Sequence, residues 1–82
     1  MKIQIQLYAT LKLKAGSNSI EVDLEGNEAT VQQVINASLA KHPTLESSLR
    51  SILVAVNKEY ASKDQLITPT DTVAFFPPVS GG

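Results

Sequence analysis

Eighty-two residues, seven basic and eight acidic side chains, a formal charge of −1 and 43% hydrophobic residues describe one small domain, near the lower size at which a chain folds without covalent staples. There is no cysteine, which excludes disulfides, thiolate metal sites and a thiol nucleophile of the chain's own. The balanced charge argues against a nucleic-acid binder, and no apolar run approaches the ~20 residues of a membrane span, so a cytoplasmic domain that meets neither nucleic acid nor membrane is expected.

In Met1 to Leu7 apolar and polar residues alternate, with Ile3, Ile5 and Leu7 on one parity and Gln4, Gln6 and Tyr8 on the other. This is the period of a half-buried strand and not the continuous apolar stretch of a signal peptide. Ile20, Val22 and Leu24 repeat the pattern against Glu21 and Asp23. The intervening Ala9 to Asn18 is too long for a tight hairpin; it reads as a loop that tucks Leu11 and Leu13 against the core. Gly26-Asn27 breaks the second strand. Thr30-Val31-Gln32-Gln33 fits a capping box, and Val31, Val34, Ile35 and Leu39 follow at helical spacing until Pro43 closes the helix. Leu45 to Arg50 suggests a second short helical turn, and Ile52 to Val56 a buried strand. Asn57-Lys58-Glu59 reads as a turn into a short segment at Tyr60, Asp64 to Asp71 as irregular, and Thr72 to Phe76 as the last strand. The order predicts an α+β fold of the β-grasp, ubiquitin-like kind: a mixed four- to five-stranded sheet wrapped around one main helix, with the first and last strands parallel at its centre.

Little in the body of the chain suggests catalysis. His42, the one histidine, stands before Pro43 at a helix end, where it caps carbonyls or faces water. No serine lies in a Gly-x-Ser-x-Gly elbow, the acidic residues lack metal-loop spacing, and Gly16 and Gly26 do not form a phosphate-binding loop. Lys12 and Lys14 read as solvated charges or as contacts to an acidic partner. The aromatic residues are more informative. Alternation sends Val73 and Phe75 inward, and Phe76 outward with Ala74, beside the Tyr8 parity of the first strand. Tyr8, Phe76 and Tyr60 are therefore predicted to form an exposed docking surface.

The sequence closes on Phe75-Phe76-Pro77-Pro78-Val79-Ser80-Gly81-Gly82. Prolines cannot continue a central strand, so residues 1–76 are expected to form the domain and residues 77–82 a flexible tail reaching ~3.3 Å per residue. Two glycines, lacking side chains, suit entry into a narrow channel.

This run resembles the ending of the MoaD family of ubiquitin-like sulfur carriers, the small subunits of molybdopterin synthase. Ala55-Val56-Asn57, Leu66 and Asp71-Thr72-Val73-Ala74 fit the same pattern, as does the opening strand reaching Tyr8-Ala9. The resemblance spans the chain, and its specific part is the last dozen residues. It implies a covalent carrier with no permanently bound cofactor. An E1-like adenylyltransferase (MoaB/MoeB-type), using ATP and magnesium, would convert Gly82 to a glycyl adenylate. A persulfide donor would replace AMP and leave a thiocarboxylate. Val79, Ser80, Gly81 and Gly82 would then enter the active site of the large, MoaE-type subunit in a heterotetramer, delivering sulfur to the cyclic pyranopterin precursor. Sulfur carriage for thiamine thiazole or for tRNA thiolation, and attachment to lysines as a protein modifier, are the alternatives. Thiazole carriers are usually shorter and lack the Phe-Phe-Pro-Pro run.

Overall fold

The computed structural model describes residues 1–49 and 51–77. Strand β1 (Lys2–Leu7) buries Ile3, Ile5 and Leu7 and exposes the residues between them. It pairs antiparallel with β2 (Ser19–Asp23), Ile5 opposite Ile20, and parallel with β7 (Val73–Phe76), Leu7 opposite Phe75. Strand β4 (Leu53–Val56) runs antiparallel to β7 with Val54 opposite Phe75, and the two-residue β5 (Glu59–Tyr60) returns alongside it. The order β2-β1-β7-β4-β5 gives a mixed five-stranded sheet, with β7 in the middle and β1 parallel beside it, as alternation and topology predict.

Helix α2 (Val31–Lys41) covers one face of this sheet, completing an α+β β-grasp domain. Its start is over-determined. Gln33 N donates to Thr30 Oγ1 at 3.1 Å, and Thr30 N donates to Gln33 Oε1 at 2.8 Å, so the predicted capping box forms. The amides of Val31 and Gln32, otherwise orphaned in the first turn, donate to the carbonyls of Gln65 and Lys63, each at 2.9 Å. Val31, Val34 and Ile35 face the core, and the stripe continues through buried Ser38, whose hydroxyl donates to Val34 O at 2.8 Å, while Leu39 is only half-buried. At the other end His42 N donates to Ser38 O, and Pro43 begins a 3₁₀ turn (Pro43–Leu45) leading to α3 (Glu46–Leu49).

Two expectations are corrected. The segment after Tyr8 is not a loop: Thr10–Ala15 forms helix α1, closed by Gly16 at φ 71° with its amide on Lys12 O. On a helix, residues 11 and 13 lie on opposite sides. Leu11 is therefore fully buried, whereas Leu13 is 81% exposed and does not reach the core. The stretch Asp64–Asp71 is not wholly irregular either. Leu66–Ile67 forms β6, which pairs antiparallel with β3 (Ala29–Thr30) in a second, two-stranded sheet holding the mouth of α2.

The free edge of β2 is occupied by side chains. Ser17 Oγ donates to Ser19 O at 2.8 Å and accepts from Ser19 N at 3.3 Å, and Lys41 Nζ reaches from the end of α2 to Glu21 O. Phe75, Leu11, Leu45 and Ile67 are among the fully buried side chains of a single core, and no buried side-chain polar atom among the described residues lacks a partner.

The contrast between Leu11 and Leu13 is directly testable. Leu11→Ala should cost about 2–5 kcal/mol of folding stability and Leu13→Ser less than about 0.5 kcal/mol, read from urea unfolding midpoints.

Candidate docking face

Among the described residues no helix covers the sheet face opposite α2, and the side chains of that face follow from the alternation that builds the core. With Ile3, Ile5 and Leu7 inward, β1 turns Gln4, Gln6 and Tyr8 to this face. Val73 and Phe75 inward leave Ala74 and Phe76 here, and Val54 and Val56 inward leave Leu53 and Ala55. The register sets Ala55 opposite both Ala74 and Tyr60, and Phe76 opposite Leu53. Two small residues thus make a low floor, and larger rings stand around it.

The three aromatic residues named from the sequence come together. Tyr8 and Phe76 stack with ring centroids 4.6 Å apart and planes inclined by 10°, while Tyr60 meets Phe76 edge-on at 6.5 Å and 77°. Such ring pairs contribute ~0.5–1.5 kcal/mol beyond their burial. The Tyr8 hydroxyl donates to Gln6 Oε1 at 3.1 Å. Tyr8 remains 41% exposed and Tyr60 74%, so both rings present surface to solvent. Between them lies a shallow depression of about 440 Å³, with Lys58 its one charged wall among the described residues. Exposed aromatic surface around a small-residue floor is the composition of a protein-docking patch.

A polar depression of about 410 Å³ adjoins it, sharing Gln6 and Thr72 and bordered by Lys2, Gln4, Glu21 and Asp71. The Lys2–Glu21 ion pair there, 4.0 Å long and exposed, adds little. The open face is therefore divided, apolar toward the end where β7 stops and polar toward the other.

The turn carrying Lys58 is held by a contact that the sequence analysis does not anticipate. Asn57 and Lys58 have φ of 53° and 72°, the pair of positive values that a tight hairpin turn requires. Asn57 Nδ2 donates to Asp71 Oδ1 at 2.9 Å, and Thr72 N donates to Asn57 Oδ1 at 2.9 Å. Asp71 Oδ2 accepts from Thr68 N at 2.8 Å. The Thr68 amide first, and the Asn57 amide group second, hold the Asp71 carboxyl below its ordinary pKa. Asn57 at a turn is a recognisable signal; its bond to a carboxylate fourteen residues later is not.

The remaining candidates are dispersed. His42 caps the end of α2, Lys14 donates to Ser47 Oγ at 3.3 Å, and Lys12 lies beside Tyr8 on the α1 side. No group of three or more His, Asp or Glu side chains that could hold a metal occurs among the described residues. No helix among them is long and apolar enough to cross a membrane. Strand β7 stops at Phe76, one residue before Pro77. The predicted carrier residues Val79, Ser80, Gly81 and Gly82 lie outside the described residues.

A helix clasped by a five-stranded mixed sheet, with an aromatic patch where the last strand ends, defines a ubiquitin-like β-grasp protein. Residues 5–82 match the ThiS family, and the chain belongs to that family. It is 40% identical to the molybdopterin synthase sulfur carrier subunit of Dictyostelium discoideum, over 99% of this chain and 96% of that one. It is 38% identical to small archaeal modifier protein 1 of Haloferax volcanii, over 94% of this chain and 97% of the other. The crystal structure of SAMP1 from Haloferax volcanii superposes with a TM-score of 0.83 at 36% identity, covering all of both chains.

Because the Asp71 carboxyl is held below its ordinary pKa, its stabilisation is present above an unfolded value of ~3.9 and disappears as pH falls through the lower folded value. Asp71→Asn should therefore lower stability at pH 7 by about 1 kcal/mol, with the gap to the parent chain closing below about pH 4 in a series of thermal unfolding curves.

Proposed function

We propose that the chain is the sulfur-carrying small subunit of a molybdopterin synthase, with Gly82 as the group that is charged. The full-length 40% identity to a sulfur carrier subunit carries this reading, and the placement of Phe76, the last residue of β7, at the aromatic patch supports it. The domain, residues 1–76, serves as the handle, and residues 77–82 are the part offered to other enzymes.

The chemistry follows from the weakness of a carboxylate as an electrophile. Its charge repels nucleophiles, and oxide is a poor leaving group. A partner adenylyltransferase, with ATP and magnesium, lets a Gly82 carboxylate oxygen attack the α-phosphorus, and pyrophosphate leaves. The terminal sulfur of a persulfide donor then attacks the acyl carbon and AMP leaves. A second thiol attacks the sulfur still attached to the donor, forms a disulfide with it, and releases the thiocarboxylate on Gly82. Within the large synthase subunit that sulfur passes to the pyranopterin precursor. Acid–base groups and nucleotide sites belong to the partners. Tyr8, Tyr60 and Phe76 form the surface on which both partners dock in turn, and Val79 to Gly82 enter their active sites.

A second reading has its own support in the 38% identity to a small archaeal modifier protein. In it the same activated Gly82 is captured by a lysine amine and an isopeptide bond forms. Intact mass spectrometry separates the two after incubation with the adenylyltransferase, ATP, magnesium and a persulfide donor. The carrier reading expects a mass gain equal to replacement of one oxygen by sulfur, lost again on addition of the large subunit and precursor. Absence of that gain overturns it, and lysine conjugates in place of turnover select the modifier.

The docking surface is tested separately. Phe76→Ala should weaken binding of the large subunit by about tenfold or more, as loss of a buried aromatic anchor does, while the domain stays folded by circular dichroism.

A further inference from the structure

The Tyr8 ring occupies an unusual place for a simple docking anchor. One of its faces lies flat on Phe76, at 4.6 Å and 10°, and is therefore already used within the molecule. The backbone on both sides of Tyr8 is also fixed. Leu7 N donates to Asn18 O at 2.8 Å, and Tyr8 O accepts from Leu11 N at 3.2 Å, closing a turn around the next residue. That residue, Ala9, has φ 54° and ψ −129°, a conformation that side-chain-bearing residues rarely adopt. Strain of this kind persists only where its surroundings impose it, and it clusters at functional positions. Here the turn ends β1 abruptly and leaves the Tyr8 ring on the open face, where its hydroxyl is steered by Gln6.

Phe76 needs such support. It is the last residue of β7, and Pro77 has no amide with which to extend the ladder. On the β4 side Phe76 is paired with Leu53. On the β1 side the last paired residues are Leu7 and Phe75, and beyond them Tyr8 meets Phe76 through the ring stack.

We propose that Tyr8 is a positioning residue: stacked on Phe76 and held by the strained turn at Ala9, it sets the direction in which the chain leaves the sheet at Pro77. The effect on chemistry rests on the carrier reading above, because the group being aimed is Gly82. The effect on Phe76 does not depend on that reading.

The experiment therefore has two arms. In the isolated chain, ¹⁵N relaxation reads the Phe76 amide, and Tyr8→Leu, which keeps apolar bulk but removes the ring, should drop its order parameter from ~0.85 toward ~0.6. Tyr8→Phe, which keeps the stack, should restore it. Tyr8→Met, which keeps a long apolar side chain but no ring, should shift it in the same direction as Tyr8→Leu, and it decides the matter if Tyr8→Leu does not fold. In the second arm, adenylation of Gly82 is followed with the chain as variable substrate. Tyr8→Leu should lower kcat by about tenfold or more, as misplacement of a reacting group does, in addition to the rise in KM that loss of a docking contact brings, with kcat recovered in Tyr8→Phe. An unchanged Phe76 order parameter in both Tyr8→Leu and Tyr8→Met overturns the proposal. So does a raised KM with unchanged kcat, which would make Tyr8 a docking contact only. If the parent chain itself is not adenylated, the carrier reading fails, and the relaxation arm alone decides the role of Tyr8.

Discussion

The parallel pairing of β1 with β7 is the constraint on which the rest depends. It sets Ile5 beside Val73, Gln6 beside Ala74 and Leu7 beside Phe75, and so joins the opening and closing segments of the chain side by side. One parity of the two strands then supplies the centre of the core, with Ile3, Ile5, Val73 and Phe75 almost wholly buried. The other parity supplies the floor and rings of the open face. A shift of one residue between them would set Leu7 beside Ala74 or Phe76 and turn one strand over relative to the other, so that β7 would expose Val73 and Phe75 if β1 kept its own face inward. The core and the open face are therefore two readouts of one alignment, and a change of register disturbs both.

The remaining elements hold that alignment. Helix α2 covers the inner face, its start tied to Lys63 and Gln65 and to the small β3–β6 sheet. The Asn57–Asp71 contact joins the β4–β5 turn to the approach of β7, so the two strands bordering the aromatic patch are fixed relative to each other by side chains as well as by the ladder. In a chain of this size, where a few kcal/mol separate folded from unfolded, such satisfied polar contacts matter beside the apolar core.

What could be read from the sequence was whatever repeated or was punctuated. Ile3-Ile5-Leu7 and Ile20-Val22 repeat with period two, and Thr30, Gln33 and Pro43 mark both ends of α2, so strands, helix and their order follow. The meeting of Tyr8, Phe76 and Tyr60 was legible because parity alone assigns Phe76 and Tyr8 to the outer face. Helix α1 was not, because in six residues Leu11 and Leu13 mimic the alternation of a strand, and only the turn at Ala9 reveals the helical phase. Strands β3 and β6 have two residues each, too few to carry a period. Lys58 enters the patch wall, and Asp71 meets Asn57, through hairpin geometry and long-range hydrogen bonds that leave no local pattern.

The side chains along the outer edge of β2 have a consequence for how the molecule behaves in a crowd. Ser17 occupies both polar groups of Ser19, and Lys41 occupies the carbonyl of Glu21, so a neighbouring strand finds these backbone positions taken and a charge in its way. Edge-to-edge adhesion is thereby discouraged on one flank of the sheet, while the aromatic end of its open face stays uncovered. For the carrier role proposed above this division has a use: copies can accumulate without joining along this edge, and the aromatic end of the open face is left for partners met one after another.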